Sequence, residues 1–292
     1  MLIRYCFLSL FLFNMIQLKG QDAFPQHAEK HVESEYILPM RRLNLGFEKG
    51  TFEAVLPPCF KGGTISKLDG KIDTLDSFFE KLRRVHTGLV TDSVRVLHIG
   101  DSHIRGHFFT DCVGGKLAEV FPAIKYEDLG VNGATTRTFL QRNRLSKLSS
   151  FSPDLLVISF GTNESHNRGY NSIIHYNNLT DFLSEVRKYL PYTPILLTTP
   201  PGSFDRRGWR VYRVNPRTSI AANTICNFAN ENELPYWDMF SIVGGGDYAS
   251  SNWKNAGLMR PDHVHYLPEG YQLQADLFYE ALIRAYNEYI TH

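Results

Sequence analysis

The sequence predicts an α/β protein built on a parallel sheet with helices on both faces. Two observations carry that expectation. Four short, largely apolar segments recur at 94–99 (VRVLHI), 124–129 (IKYEDL), 155–160 (LLVISF) and 194–199 (PILLTT), each of strand length. Helical stretches separate them at 104–120, 136–148 and 175–190, and a further helix at 218–232 precedes a short strand near 236–239. Strands alternating with helices join through right-handed crossovers, which bring the carboxyl ends of the strands to one edge.

The flanking elements follow from local signals. Asp73-Thr74-Leu75-Asp76 opens a helix running to Arg84, with Leu75, Phe78, Phe79 and Leu82 on one face. Before it, residues 41–72 are broken by Gly46, Pro57, Pro58, Gly62, Gly63 and Gly70 and read as loops and short strands. Pro268 suits a first helical position, and Tyr271, Ala275, Phe278, Leu282, Ala285 and Tyr289 then recur at helical spacing. That stripe is a packing face.

Composition bounds the rest. With 292 residues, of which 43% are hydrophobic, the chain has enough apolar content for a full core, which excludes a mainly disordered protein. Its 31 Lys+Arg against 30 Asp+Glu leave no basic surplus for a dedicated nucleic-acid binder. No apolar run reaches the roughly 18 residues that a spanning helix needs. Arg4, the apolar stretch 6–16 and the polar residues 17–20 have the layout of a secretory signal peptide. Cleavage near Gly20 would make the protein secreted or periplasmic. The expected division is a signal peptide at 1–20, a lead-in and accessory segment at 21–90 and a main domain at 91–292.

Export leaves Cys59, Cys112 and Cys226, an odd number that allows one disulfide at most. With no CxxC and no HExxH, these thiols read as small buried apolar residues, and neither metal nor cofactor is implied.

In an open α/β sheet, ligands bind beyond the carboxyl ends of the strands, so the residues following each strand carry the chemistry. Gly100-Asp101-Ser102-His103 follows the first, placing a serine at a strand-to-helix turn where helix N–H groups stabilise an oxyanion. Gly130-Val131-Asn132-Gly133-Ala134-Thr135 follows the second, and Gly161-Thr162-Asn163-Glu164 the third. Arg260-Pro261-Asp262-His263-Val264-His265 stands just before the terminal helix. Each block alone is weak. Together they supply a nucleophile, a base, an orienting carboxylate and oxyanion donors, the parts that acyl transfer needs.

These blocks, IGDSH, GVNGAT, FGTN and DHVH in that order, resemble the SGNH (GDSL) hydrolases over residues 94–290. The resemblance implies a flavodoxin-like three-layer α/β/α sandwich. It implies Ser102 as nucleophile, His265 as general base and Asp262 as the residue that orients His265. The Ser102 and Gly133 backbone N–H groups and the Asn163 amide would hold the oxyanion. His263 is the rival base, and the family spacing Asp-x-x-His favours His265. The first block reads GDSH instead of GDSL, so His103 stands beside the nucleophile, either behind the catalytic groups or facing the substrate. Asp101 should structure the turn.

The longer stretches HIGDSHIRGHFFT, ISFGTNESHN and DHVHYLPEGYQLQADLFYEAL are similar to exported SGNH proteins of Bacteroidetes-type bacteria, whose relatives include carbohydrate and peptidoglycan O-acetylesterases. The expected substrate is therefore an O-acetylated glycan, with no cofactor. A lipase, lysophospholipase or thioesterase on the same scaffold is the first rival reading. A non-catalytic glycan-binding protein is the second.

One loop speaks to substrate. Residues 204–217 (FDRRGWRVYRVNPR) carry five arginines with Trp209 and Tyr212 and follow the fourth strand. Arg206, Arg207 and Arg210 would pair with carboxylates and Trp209 would stack on a sugar ring, unless this is a solvated loop whose aromatics pack locally. Gly244-Gly245-Gly246 lacks the Lys-Ser/Thr of a phosphate loop and reads as a turn.

Overall fold

In the computed structural model, which describes residues 46–291, the alternating strand residues sort into two cores. Val94, Val96, Leu155, Val157, Leu196 and Trp237 are buried in one. Leu97, Ile99, Leu156, Ile158, Ile195 and Leu197 are buried in the other. Neighbouring strand residues point to opposite faces, so a sheet buried on both sides needs apolar residues at nearly every position. The expected signal peptide and residues 21–45 of the lead-in lie outside the described residues.

The chain runs β1 (Asp69–Gly70), α1 (Asp76–His86), β2 (Val94–Gly100), α2 (Ser102–Arg105), α3 (Phe108–Val120), β3 (Ile124–Gly130), α4 (Thr136–Phe139), α5 (Arg142–Phe151), β4 (Leu155–Ser159), α6 (Thr162–His166) and α7 (Ser172–Tyr189). It continues through β5 (Ile195–Thr198), β6 (Phe204–Gly208), β7 (Val211–Val214), α8 (Arg217–Glu231), β8 (Pro235–Trp237), α9 (Met239–Ile242), α10 (Gly245–Asn255) and α11 (Pro268–Thr291). The six-stranded sheet has the order β1-β8-β5-β4-β2-β3. Its five main strands are parallel, and in chain order they form the 2-1-3-4-5 arrangement of flavodoxin-like folds. Helices α1, α3, α10 and α11 contribute to the first core, and α5, α7 and α8 to the second, giving three layers.

Several expectations need correction. The sheet is mixed, because β1 pairs antiparallel with β8. That edge strand comes from the accessory segment, whose Ser66 hydroxyl donates to the Leu277 carbonyl at 2.6 Å and accepts from the Trp237 indole at 3.0 Å. The helix expected at 104–120 is two helices, broken where His107 turns left-handed (φ +65°). That at 136–148 is likewise split, into α4 and α5. The arginine-rich loop is largely a hairpin, β6–β7. Only Gly244 of the triple glycine is a turn residue (φ +113°), and Gly245 already begins α10, which buries Trp253. The cysteines are free, but Cys59 is exposed and Cys112 and Cys226 are half-buried, so none is the core residue expected.

Two glycines set where α2 sits. Gly100 and Gly130 are paired in register at the ends of β2 and β3. A Cβ on Gly130 would collide with the Arg105 backbone, and one on Gly100 with Ile104 and the Ser159 carbonyl. The one-turn helix therefore rests directly on the strand ends.

Beneath it a polar seam crosses four strands on one face. Tyr126 Oη lies 2.7 Å from His98 Nδ1, His98 Nε2 lies 2.6 Å from Ser159 Oγ, and Ser159 Oγ lies 2.6 Å from Thr198 Oγ1. Burial pushes His98 down to about 3, so the ring is neutral and bridges one hydroxyl as donor and another as acceptor. Burial also lowers His175, to about 4.

Two outcomes are expected. Unfolding returns a buried histidine to its ordinary value near 6.5, so the stability held by its neutral form is complete above that pH and is lost as pH falls toward the folded value. The urea midpoint should therefore fall between about pH 6.5 and pH 4, and His98→Gln should flatten that slope. An unchanged slope would contradict the buried neutral ring. Gly130→Ala should cost about 1–3 kcal/mol in urea unfolding, as overpacking against the α2 backbone.

Candidate active site

The sheet order reverses between β2 and β4, and there the expected site residues meet. Ser102 opens α2, where the first amides of a helix have no partner within it. Asp101 caps this helix, its Oδ1 accepting from the His103 amide at 2.9 Å. The sequence expectation for Asp101 was structural, and the structure adds a partner. Its Oδ2 accepts from Asn163 Nδ2 at 3.3 Å.

Asn163 and Glu164 join three loops. Asn163 Nδ2 also donates to the Ala134 carbonyl at 2.9 Å, tying the start of α6 to the loop that carries Gly133. Glu164 is buried and accepts from the amides of Thr136 at 2.8 Å and Gly161 at 2.9 Å. Burial raises the pKa of Glu164, and these hydrogen bonds oppose that shift only in part. Burial also pushes Asp101 up to about 7, with the Glu164 charge adding to it. Gly133 is exposed and left-handed (φ +70°), and a Cβ there would meet no neighbour.

His265 comes from the loop between α10 and α11. Met259 and Tyr266 bridge the two arms of this loop, and the Arg260 amide donates to the His265 carbonyl at 2.8 Å. Asp262 shapes its tip, its Oδ1 accepting from the amides of Val264 and His265, each at 2.9 Å. The other oxygen, Oδ2, lies 2.9 Å from His265 Nδ1. His265 Nε2 lies 2.9 Å from Ser102 Oγ. Ser102, His265 and Asp262 thus form one hydrogen-bonded line. Partial burial works to raise the Asp262 pKa, but the hydrogen bonds from Val264 and His265 outweigh it and hold the carboxyl below its usual range.

His103 and His263 take different places. His103 is only 7% exposed, with Nδ1 3.0 Å from the Tyr271 hydroxyl and its ring centroid 5.2 Å from that of His265. It lies beside His265, away from solvent. Burial, and then the neighbouring His265, push it down to about 3, so it carries no charge. The ring of His263 packs against Tyr212 and Phe204, with centroids at 4.3 and 5.5 Å.

Sequence reasoning missed Glu164, Tyr271 and His166. Glu164 stands three residues after Gly161, a capping spacing that offered a signal. Tyr271 was hidden in the packing stripe of α11. His166 ends α6 with Nε2 3.0 Å from Ser203 Oγ, and burial lowers its pKa. Of the hairpin residues, Trp209 is exposed, Arg210 lies over its ring, Arg207 pairs with Asp205 at 3.2 Å, and Arg206 is exposed. Among the described residues no helix is long and apolar enough to cross a membrane, and no cluster of three or more His, Cys, Asp or Glu suits a metal ion.

Solved structures share this fold. A peptidoglycan O-acetylesterase superposes with a TM-score of 0.68 at 17% identity, covering 76% of this chain and 99% of its own. A lipase/acylhydrolase from Enterococcus faecalis superposes with a TM-score of 0.52 at 21% identity, covering 65% and 96% respectively. No curated protein matches the chain. The model of the GDSL-like lipase/acylhydrolase family matches residues 98–273, a span that takes in Ser102, Gly133, Asn163, Asp262 and His265. The protein belongs to the GDSL-like lipase/acylhydrolase family.

Proposed function

We propose that the protein is an exported serine esterase that removes O-acetyl groups from a carbohydrate. The observation that carries this reading is the line Ser102–His265–Asp262, with both links at 2.9 Å. His265 Nε2 takes the Ser102 proton as Oγ attacks the acetyl carbonyl. Asp262 fixes the imidazole tautomer and balances the positive charge that His265 gains. The amides of Ser102 and Gly133 and the side chain of Asn163 hold the oxyanion. Of the two hydrogen bonds that Asn163 Nδ2 makes, the 3.3 Å contact to Asp101 is the longer. That bond yields as the oxyanion forms, while the Ala134 bond keeps the amide in place. His265 returns the proton to the departing sugar oxygen, leaving acetyl on Ser102. Water activated by the same ring then releases acetate.

Two observations support acetylated sugar as substrate. The solved peptidoglycan O-acetylesterase shares the fold over nearly its whole length. An arginine- and tryptophan-bearing hairpin also packs against the loop that carries the triad. Export rests on the leader-like residues 1–20.

The test is acetate release from O-acetylated peptidoglycan, xylan and pectin, alongside esters of increasing acyl length. Ser102→Ala should lower release by about 10³-fold or more. Asn163→Ala should lower it by about 10²–10³-fold. Hydrolysis that rises with acyl length and spares every glycan would move the assignment to a lipase or thioesterase. Glycan binding without hydrolysis of any ester would mean a non-catalytic module. In an exporting bacterial host, mass spectrometry of the secreted or periplasmic protein should find its N-terminus near Gln21. An intact leader would contradict export.

A further inference from the structure

The five arginines of 204–217 are not equivalent, and the hairpin separates them. Residues opposite each other on paired strands share a face, and faces alternate along each strand. Arg206 is opposite Tyr212 and Phe204 is opposite Val214, so these four share one face. That face is turned to the triad loop: Phe204 and Tyr212 pack on His263, and the Phe204 amide donates to the His263 carbonyl at 3.0 Å. Asp205 and Arg213 take the other face. Asp205 is committed there to Arg217 at 2.6 Å and Arg207 at 3.2 Å. Among the described residues Arg206, Arg210 and Arg213 have no carboxylate partner, and only Arg206 of these shares the face against the triad loop.

The tip is built against local preference. Gly208 pairs with Val211, leaving a two-residue turn of Trp209 and Arg210. Such turns favour Asn-Gly or another glycine pair. Here Arg210 takes the left-handed conformation (φ +56°), and Trp209 is 79% exposed. The Arg210 guanidinium lies 5.5 Å from the centre of the Trp209 ring. The turn itself calls for a left-handed residue, but arginine is an unusual choice there, and with an exposed tryptophan beside it the tip is a candidate functional site.

We propose that this tip is a subsite for carboxylate-bearing glycan, with Trp209 stacking on a sugar ring while Arg206 and Arg210 pair with carboxylates. A planar guanidinium presents two N–H groups to one carboxylate, and an exposed indole offers a flat apolar face to a sugar. The subsite extends the proposed esterase reading by giving the polymer a charge. Uronate residues and the lactyl or peptide carboxylates of peptidoglycan share this chemistry.

The experiment compares wild type with the double variant Arg206→Ala/Arg210→Ala, with Trp209→Ala, and with Arg213→Ala as the opposite-face control. Substrates are O-acetylated pectin, O-acetylated peptidoglycan, neutral acetylated glucomannan and 4-nitrophenyl acetate. The double variant should raise KM about tenfold on at least one acidic polymer with kcat nearly unchanged. That difference should shrink as ionic strength rises. Trp209→Ala should raise KM on the same polymer. For the double variant, glucomannan and 4-nitrophenyl acetate should show little change, Arg213→Ala should be neutral on every substrate, and the acidic polymer that responds identifies the carboxylate source. Equal losses of the double variant on glucomannan, an equal effect of Arg213→Ala, or no change of the double variant on either acidic polymer would overturn the subsite.

A binding arm keeps the two readings apart. Ser102→Ala protein is tested against de-O-acetylated polygalacturonate by affinity gel electrophoresis and against de-O-acetylated peptidoglycan by co-sedimentation. Hairpin-dependent binding with no acetate release by wild type would retain the subsite and sink the esterase. Acetate release that ignores the hairpin would do the reverse.

Discussion

Ser102 reaches the sheet edge because the two strand ends beneath it carry no side chains. Gly100 and Gly130 stand in register, and the Arg105 backbone lies where a Cβ on Gly130 would be. Helix α2 can then begin directly from β2, so its first residue emerges where the sheet order reverses between β2 and β4. From that close approach the rest of the site follows. Asp101 caps α2 and holds Asn163, and Asn163 ties down the loop carrying Gly133. Ser102 and the side chains around it therefore share one hydrogen-bonded frame.

Charge is arranged as tightly as position. The carboxylate of Asp262 stands 2.9 Å from His265 on one side. On the other is the ring of His103, which burial keeps neutral. In the proposed reaction, a second cation at that distance would oppose protonation of His265, so burial that leaves His103 uncharged favours the proposed proton transfer. Asp262 performs two tasks with two oxygens: one folds the loop tip, and the other aims the imidazole. This division explains why an Asp-x-x-His spacing within one loop suffices, although Asp262 itself is exposed.

The main strands were legible because a sheet buried on both faces demands continuous apolar runs, which 155–160 and 194–199 supply. The site blocks were legible because each follows one of those strands or precedes the last helix. What the sequence hid obeys different physics. Helix α10 begins at glycines and carries few strong helix formers, and it is held by burial of Trp253, a tertiary contact. The hairpin lacks an apolar alternation, since only Phe204 and Tyr212 pack inward against His263, and its arginines read as loop. The break at His107 is a left-handed residue that no glycine announces. Cys59 was expected inside and lies at the surface, because one small apolar residue gives no periodicity to read. Tyr271 shows how a helix stripe can serve packing and site together: it belongs to the core of α11 and still places its hydroxyl on His103.

The central claim is that His265 activates Ser102. It is tested most directly by reacting the protein with a fluorophosphonate and locating the adduct by peptide mass spectrometry. The expected result is one adduct, on Ser102, formed rapidly in wild type and lost in His265→Ala protein that remains folded. An adduct on another residue, or labelling of Ser102 that is indifferent to His265, would contradict the account.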